Sequence, residues 1–471
     1  MNRLLATMAL IFCCTGLPLF ASAEGTEDLW QGSLDVNGIK LSVVFHIVKA
    51  TNGTYGGTMV SPDQSTQAIP TEIKTYDAQT LKIDVPAVSG GFEGKMSKDG
   101  KTAVGVWRQG PNELPLTLTK GNKLAAPMRP QTPKVPFPYT SEEVAFDSRP
   151  GVRMAGTLTL PKDHKGSVPT VLLIAGSGPN NRNETILNHQ VFLVLADYLT
   201  RRGIGVLRYD KRGIGKSTGN YAQATSLDFA ADAEAGVAYL KTRKEVDGAK
   251  IGLIGHSEGG LIAPLVASRN RSVAFIVLMA GPGLNGEQIL YLQSALISKA
   301  GGATEETVAA NRKTQEQMFA IAKTEKNPAT AKQRMRALID KLWMEYTEEQ
   351  RAAIKSKDPL YAQVNAVVSP WMVTFLTYDP VPALQKVTCP VLALNGSRDL
   401  QVPPKEDLSR IEAALKVAGN TDYTIKELPN LNHLFQTCTT GSPAEYGNIE
   451  ETMAPIALQT VGDWIAAHTK K

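Results

Sequence analysis

The sequence predicts an α/β domain built on a parallel sheet with a helical insertion, preceded by a small all-β domain. Three observations carry this. Residues 24–121 hold short alternating runs broken by turn signals. From about residue 142, continuous apolar runs alternate with helical spacing. The interval 284–385 breaks that rhythm with polar, helix-forming stretches. At 471 residues the chain is too long for one ordinary core.

In the first block, Leu41-Ser42-Val43-Val44-Phe45 and Leu81-Lys82-Ile83-Asp84-Val85 alternate as half-buried strands do. Asn52-Gly53, Gly56-Gly57 and Asp99-Gly100 mark tight turns between such runs. The expectation is an antiparallel sandwich or barrel. Residues 122–141 follow as a spacer. Pro127, Pro130, Pro133, Pro136 and Pro138 fix φ and remove donors, so this segment reads as extended.

Residues 1–23 read as a cleaved secretory signal. Arg3 is a short positive region, Leu4 to Phe12 is apolar, and Ala21-Ser22-Ala23 is a small-x-small cleavage pattern before Glu24. Gly16 and Pro18 interrupt the stretch, which is short for a bilayer span, so no stable membrane anchor is expected. A periplasmic or secreted location follows. That compartment permits a bridge between Cys389 and Cys438, and the sequence leaves the bridge open.

In the second block the apolar runs are Val168–Ile174, Gly203–Tyr209, Lys250–Ile254, Val273–Met279 and Val391–Leu394. Runs without alternation indicate a sheet covered on both faces. Ser226–Arg243 and Leu261–Ser268 have helical spacing between them. Residues 142–471 therefore form one domain, with 284–385 as a helical cap inserted between two strands.

The net charge of +5 is spread without runs of like sign, which argues against nucleic acid as a partner. No Cys/His grouping has metal-ligand spacing, and no cofactor is expected. Gly213-Ile214-Gly215 lacks the Gly-Lys-Ser/Thr ending of a phosphate loop and reads as a strand-to-loop turn.

The chemistry centres on Gly255-His256-Ser257-Glu258-Gly259. A serine hydroxyl is a weak nucleophile until a base takes its proton, and presenting it requires a tight strand-to-helix turn with small flanking residues. The motif follows the run Lys250–Ile254 and opens Leu261–Ser268, so Ser257 is the candidate nucleophile. In this arrangement the acid and then the histidine follow in the chain. His46, His164, His189 and His256 precede the serine, and His468 lies near the C-terminus. That leaves His433 as base. Asp399 follows the strand and turn Val391–Gly396 and is the candidate acid, with Glu406, Asp407 and Asp422 reading as solvated residues. An oxyanion needs waiting N–H donors. These are assigned to the backbone of Glu258 and of Ser177, with Gly178 the alternative to Ser177. Arg182 is expected to brace the loop, with Glu258 as its partner.

Four stretches carry a resemblance. Gly176-Ser177-Gly178-Pro179, Arg208-Tyr209-Asp210-Lys211-Arg212-Gly213-Ile214-Gly215, Gly255-His256-Ser257-Glu258-Gly259-Gly260 and Leu431-Asn432-His433-Leu434-Phe435-Gln436 resemble those of bacterial secreted carboxylesterases. That group belongs to the α/β-hydrolase superfamily, in the branch related to serine peptidases, and often carries a β-rich N-terminal domain. The resemblance covers nearly all of residues 24–471. It implies the α/β-hydrolase fold and hydrolysis of short acyl esters, a small-molecule substrate, without a cofactor. One departure stands out. The family's loop after Gly-Ser-Gly-Pro usually reads x-Asp-Arg-Asp, and here it is Asn180-Asn181-Arg182-Asn183. A peptidase or amidase with the same triad is the second reading, and a non-catalytic envelope binding protein the third. The sequence names neither the acyl group nor the oligomeric state.

Overall fold

The computed structural model describes residues 27–36, 39–49, 53–61, 65–109, 112–121, 129–348, 351 and 357–470. The expected signal peptide, with Cys13 and Cys14, lies outside them. The described residues fall into two compact units.

The N-terminal unit is a closed antiparallel barrel of eight consecutive strands. They are β1 (Glu27–Val36), β2 (Ile39–Lys49), β3 (Tyr55–Ser61), β4 (Ser65–Tyr76), β5 (Thr80–Val85), β6 (Gly90–Met96), β7 (Thr102–Gln109) and β8 (Asn112–Lys120). Pairing of Trp30 with Lys120 and Gln31 with Thr119 joins the last strand to the first, which decides barrel over sandwich. Alternation puts Trp30, Phe45, Leu81, Ile83, Phe92, Trp107 and Leu118 inside, filling the interior as an eight-stranded barrel allows.

The second unit holds an eight-stranded mixed sheet. Its strands are β9 (Tyr139–Arg149), β10 (Val152–Pro161), β11 (Val168–Ile174), β14 (Gly205–Tyr209), β15 (Val246–His256), β16 (Phe275–Met279), β17 (Val391–Gly396) and β18 (Tyr423–Leu428). The short strands β12 (Thr185–Ile186) and β13 (His189–Gln190) lie outside this sheet. The order is β18-β17-β16-β15-β11-β14-β10-β9. Parallel pairing runs from β18 to β14, and β10 and β9 add antiparallel. This is the α/β-hydrolase fold that the sequence predicts.

Helices α1 (Val191–Arg201), α2 (Ser226–Lys241), α3 (Glu258–Ala267), α10 (Pro404–Val417) and α11 (Pro455–Thr469) cover the sheet. Two apolar cores form, one on each face. Leu172, Phe229, Leu253, Leu261 and Ile411 belong to one, and Leu173, Phe192, Ile254, Val277 and Val461 to the other. Between β16 and β17 come α4 (Gly286–Ala300), α5 (Glu305–Thr324), α6 (Pro328–Glu345), α7 (Asp358–Val367), α8 (Pro370–Thr377) and α9 (Val381–Leu384). Phe319, Met335, Val364 and Leu376 give this insertion an apolar core of its own.

Three strands escape a reading by apolar runs. β9 is exposed at most positions, and it begins at Tyr139, inside the span read as spacer. β10 mixes threonines with apolar residues, and β18, at the sheet edge, is half polar.

Register brings the ends of two central strands together, with Ile174 of β11 opposite Gly255 of β15. A Cβ on Gly259 would lie 1.9 Å from the Ile174 carbonyl oxygen, whereas one on exposed Gly248 would meet nothing within 4 Å. Gly259→Ala should therefore destabilise the chain by roughly 4 kcal/mol or more, or leave it insoluble. Gly248→Ala should stay within about 1 kcal/mol of the parent. Denaturant unfolding of the two variants checks the contrast, and a well-folded Gly259→Ala protein would refute the crowding at this turn.

Candidate active site

Ser257 sits between β15 and α3 with φ 53° and ψ −118°, a conformation that L-residues adopt only when their surroundings impose it. Its N–H donates to the Met279 carbonyl at 2.9 Å. A Cβ on Gly255 would lie 2.0 Å from the Gly259 carbonyl oxygen, so the turn closes only with glycine there. The side chain is thereby lifted to the C-terminal edge of the sheet, where sites of such folds collect.

Asp399 lies in the turn after β17 and is buried. Its Oδ1 accepts from the N–H groups of Gln401 at 2.8 Å and Val402 at 2.9 Å. Its Oδ2 accepts the Nδ1 proton of His433 at 2.8 Å. Three donors thus satisfy the buried carboxylate. The bond from Nδ1 leaves Nε2 as the ring nitrogen of His433 turned away from the carboxylate. The His433 loop follows β18 and is built on Asn432, whose Oδ1 accepts from the N–H groups of Leu434 and Gln436 at 3.0 Å each.

Of the rival acids, Glu406 and Asp422 are exposed. Asp407 corrects the expectation of a solvated residue, because it is fully buried in the first turn of α10. Its Oδ1 accepts from the N–H groups of Gly283 at 2.7 Å and Leu284 at 3.0 Å, on the segment entering the insertion. Burial pushes its carboxyl up to about 7.

Ser177 is exposed on the loop after β11, beside Ser257: a Cβ on the preceding Gly176 would come within 3.1 Å of Ser257 Cβ. Glu258 is the first residue of α3, where the backbone N–H has no acceptor inside the helix. Gly178 has φ +97° and turns the loop away.

The expected pairing of Arg182 with Glu258 does not form. Arg182 donates to both Asp210 oxygens, from Nε at 3.2 Å and Nη2 at 2.8 Å, and to Glu143 at 2.8 Å. Burial works against the charge on Asp210, yet hydrogen bonds from Arg182 and from the Lys216 N–H hold its carboxyl below the usual range. Glu258 pairs instead with Lys211, with Nζ 3.0 Å from Oε2. Its Oε1 accepts from Ser226 Oγ and from Trp371 Nε1 of α8, both at 2.6 Å. Three successive residues thus reach three partners: Asp210 to Arg182, Lys211 to Glu258, and Arg212 to Asp232 of α2. The amides of the altered loop are structural. Asn181 Oδ1 accepts the Asn183 N–H at 2.9 Å, and Asn183 Nδ2 donates to Gln190 at 3.0 Å.

One part of the site was missed from sequence. His256, excluded as the base, is buried next to Ser257 in the chain, with its Nδ1 3.0 Å from Glu184 Oε1 and its Nε2 3.0 Å from the His433 carbonyl. Glu184 Oε1 also accepts the Gly176 N–H at 2.6 Å. Both ring nitrogens face oxygen acceptors. Burial opposes the charged ring, but the carboxylate of Glu184 outweighs it and the His256 pKa is raised. The available signal was a histidine inside the serine motif itself. Cys389 and Cys438 are free thiols, so no bridge joins them. Among the described residues, no helix is long and apolar enough to cross a membrane.

Residues 188–437 match the family described as serine aminopeptidase, S33. The chain belongs to this family. It is 27% identical over 285 residues to Esterase EstD of Thermotoga maritima, covering 60% of this chain and 58% of that protein. It is 29% identical over 129 residues to the uncharacterized protein YfhR of Escherichia coli K12, covering 26% of this chain and 41% of that protein. The matches thus span less than two thirds of either relative's length. Among solved structures, ferulic acid-bound Est1E from Butyrivibrio proteoclasticus is 16% identical, with 70% of this chain and all of that chain covered at a TM-score of 0.40. The Pyrococcus furiosus esterase Pf2001 is 17% identical, with 70% and 93% covered at a TM-score of 0.40.

The His256–Glu184 pair gives a pH prediction. A histidine whose pKa is raised by folding contributes stability in full below its unfolded value, near 6.5, and loses it as pH rises through the folded value. The double variant His256→Gln/Glu184→Gln leaves a neutral amide pair. The stability difference from the parent should be largest near pH 6. Above pH 7 it should shrink, by about 1.4 kcal/mol for each unit by which the pKa is raised. Denaturant unfolding from pH 6 to 9 measures this, and a pH-independent difference would refute it.

Proposed function

We propose that this chain hydrolyses short-chain carboxylic esters through an acyl-enzyme intermediate. Ser257 is the nucleophile, His433 the general base and Asp399 the acid that orients it. As Ser257 Oγ attacks the acyl carbon, Nε2 of His433 takes its proton, and the oxyanion is met by the N–H groups of Ser177 and Glu258. Collapse expels the alcohol, which regains the proton from His433, and water repeats the cycle on the acyl group. The hydrogen bond of 2.8 Å between His433 and Asp399, at the same sheet edge as the Ser257 turn, supports this assignment.

The observation that carries ester over aminoacyl amide is the state of Glu258. An exopeptidase must hold its substrate's amino terminus, and the carboxylate next to the nucleophile would serve. Here that carboxylate is buried and engaged by Lys211, Ser226 and Trp371. The family's description as serine aminopeptidases favours a second reading, an amidase or peptidase on small aminoacyl substrates. The Thermotoga relative, named as an esterase, supports the first. We also propose export to the periplasm or beyond on a signal cleaved before Glu24, which the N-terminal residue of the exported protein decides.

Ser257→Ala should abolish turnover while shifting the thermal midpoint by only a few degrees, and a fluorophosphonate probe should label the parent alone. Labelling of another serine would overturn the assignment. For the parent, kcat/KM on p-nitrophenyl acetate or butyrate should exceed that on aminoacyl p-nitroanilides by at least ~100-fold, or about 2.7 kcal/mol. Comparable values would establish the aminopeptidase reading instead.

A further inference from the structure

Lys211 is almost completely buried, and its ammonium touches no group of the triad. Its Nζ donates to the Gly176 carbonyl at 2.6 Å and to Glu258 Oε2 at 3.0 Å, and it lies 4.4 Å from the centre of the Phe229 ring. The Gly176 carbonyl also accepts from Asn180 Nδ2 at 2.8 Å. The Gly176 N–H is held separately, by Glu184 at 2.6 Å.

The Gly176 carbonyl and the Ser177 N–H belong to one peptide unit. In a trans peptide they are coplanar and point in opposite directions. Whatever fixes the carbonyl therefore fixes the N–H. With its oxygen drawn to Lys211 and Asn180, the Ser177 N–H is directed away from both. A charge-assisted hydrogen bond at the carbonyl also polarises the amide and strengthens its N–H as a donor. The same ammonium grips the side chain of Glu258, whose backbone supplies the other donor.

We infer that Lys211 is a positioning residue of the oxyanion hole, orienting and polarising the Gly176–Ser177 peptide and tying it to Glu258. This rests on the reading of Ser257 as nucleophile and of the Ser177 and Glu258 N–H groups as oxyanion donors. A merely structural ion pair would change stability and the fraction of correctly folded protein, but not the rate per competent site. A positioning role reaches the transition state and leaves substrate binding nearly untouched.

The test compares the parent with Lys211→Met, Lys211→Arg and Asn180→Ala on p-nitrophenyl butyrate, with rates expressed per site labelled by fluorophosphonate. Inhibition by butylboronic acid is measured alongside, because its tetrahedral adduct places an oxygen where the oxyanion would sit. Removing one oxyanion donor outright costs ~10²–10³ in kcat. Misdirecting one should cost Lys211→Met on the order of 10–100-fold in kcat, with KM within about threefold and boronate affinity weakened by a similar factor. Lys211→Arg should recover part of the loss. Asn180→Ala, on the half-buried loop, should show the same signature at roughly 3–10-fold, and it decides the matter if Lys211→Met does not fold. Unchanged kcat and boronate affinity per labelled site would overturn the inference while leaving the esterase reading intact. A parent that neither cleaves the ester nor is labelled at Ser257 would bring down that reading, and this inference with it.

Discussion

The site depends on a lack of space. At the turn from β15 to α3, Gly255 and Gly259 lie against backbone carbonyls with no room for a Cβ. Ser257 takes a positive φ there, and a Cβ on Gly176, just after β11, would come within 3.1 Å of its Cβ. Every other feature is referred to this point. The loop after β11 supplies the Ser177 peptide, the turn after β17 supplies Asp399, and the loop after β18 supplies His433.

Buried charges join those segments. Lys211–Glu258 connects the loop after β14 to the turn around Ser257 and, through Trp371, to the insertion. Glu184–His256 connects the loop after β11 to the backbone of the His433 loop. Each such charge would be costly out of water alone, and each is tolerable because its partner is fixed in place. The arrangement converts expensive groups into rigid spacers between loops that share no sequence proximity.

What could be read from sequence follows from what the residues must do locally. Val391–Leu394 is apolar throughout, and Val168–Ile174 but for Thr170, because both faces of their strands are covered, and such runs are unmistakable. The turn around Ser257 was legible because its glycines are demanded by contacts a few residues away. The partner of Glu258 was not, because Lys211 and Arg182 are both cations near the same loop, and three-dimensional distance alone chooses between them. Asp407 was misjudged for a related reason. A carboxylate in the first turn of a helix is ordinarily solvated, and only the loop packed over α10 buries it.

Two of the strands that sequence reading passed over lie at the ends of the strand order. β9 and β18 are the two rims of the open sheet, where unpaired backbone groups could template pairing with another chain. β9 turns Thr140, Ser141, Glu142, Glu143, Asp147 and Arg149 outward, and β18 exposes Lys426 and Glu427. Stacking a second copy along either rim would take these charged side chains out of water. The barrel meets the same hazard by closure, since a ring of strands has no rim to offer. The polarity that disguised β9 as a connector is the polarity of a strand at the rim of a sheet, with one edge left unpaired.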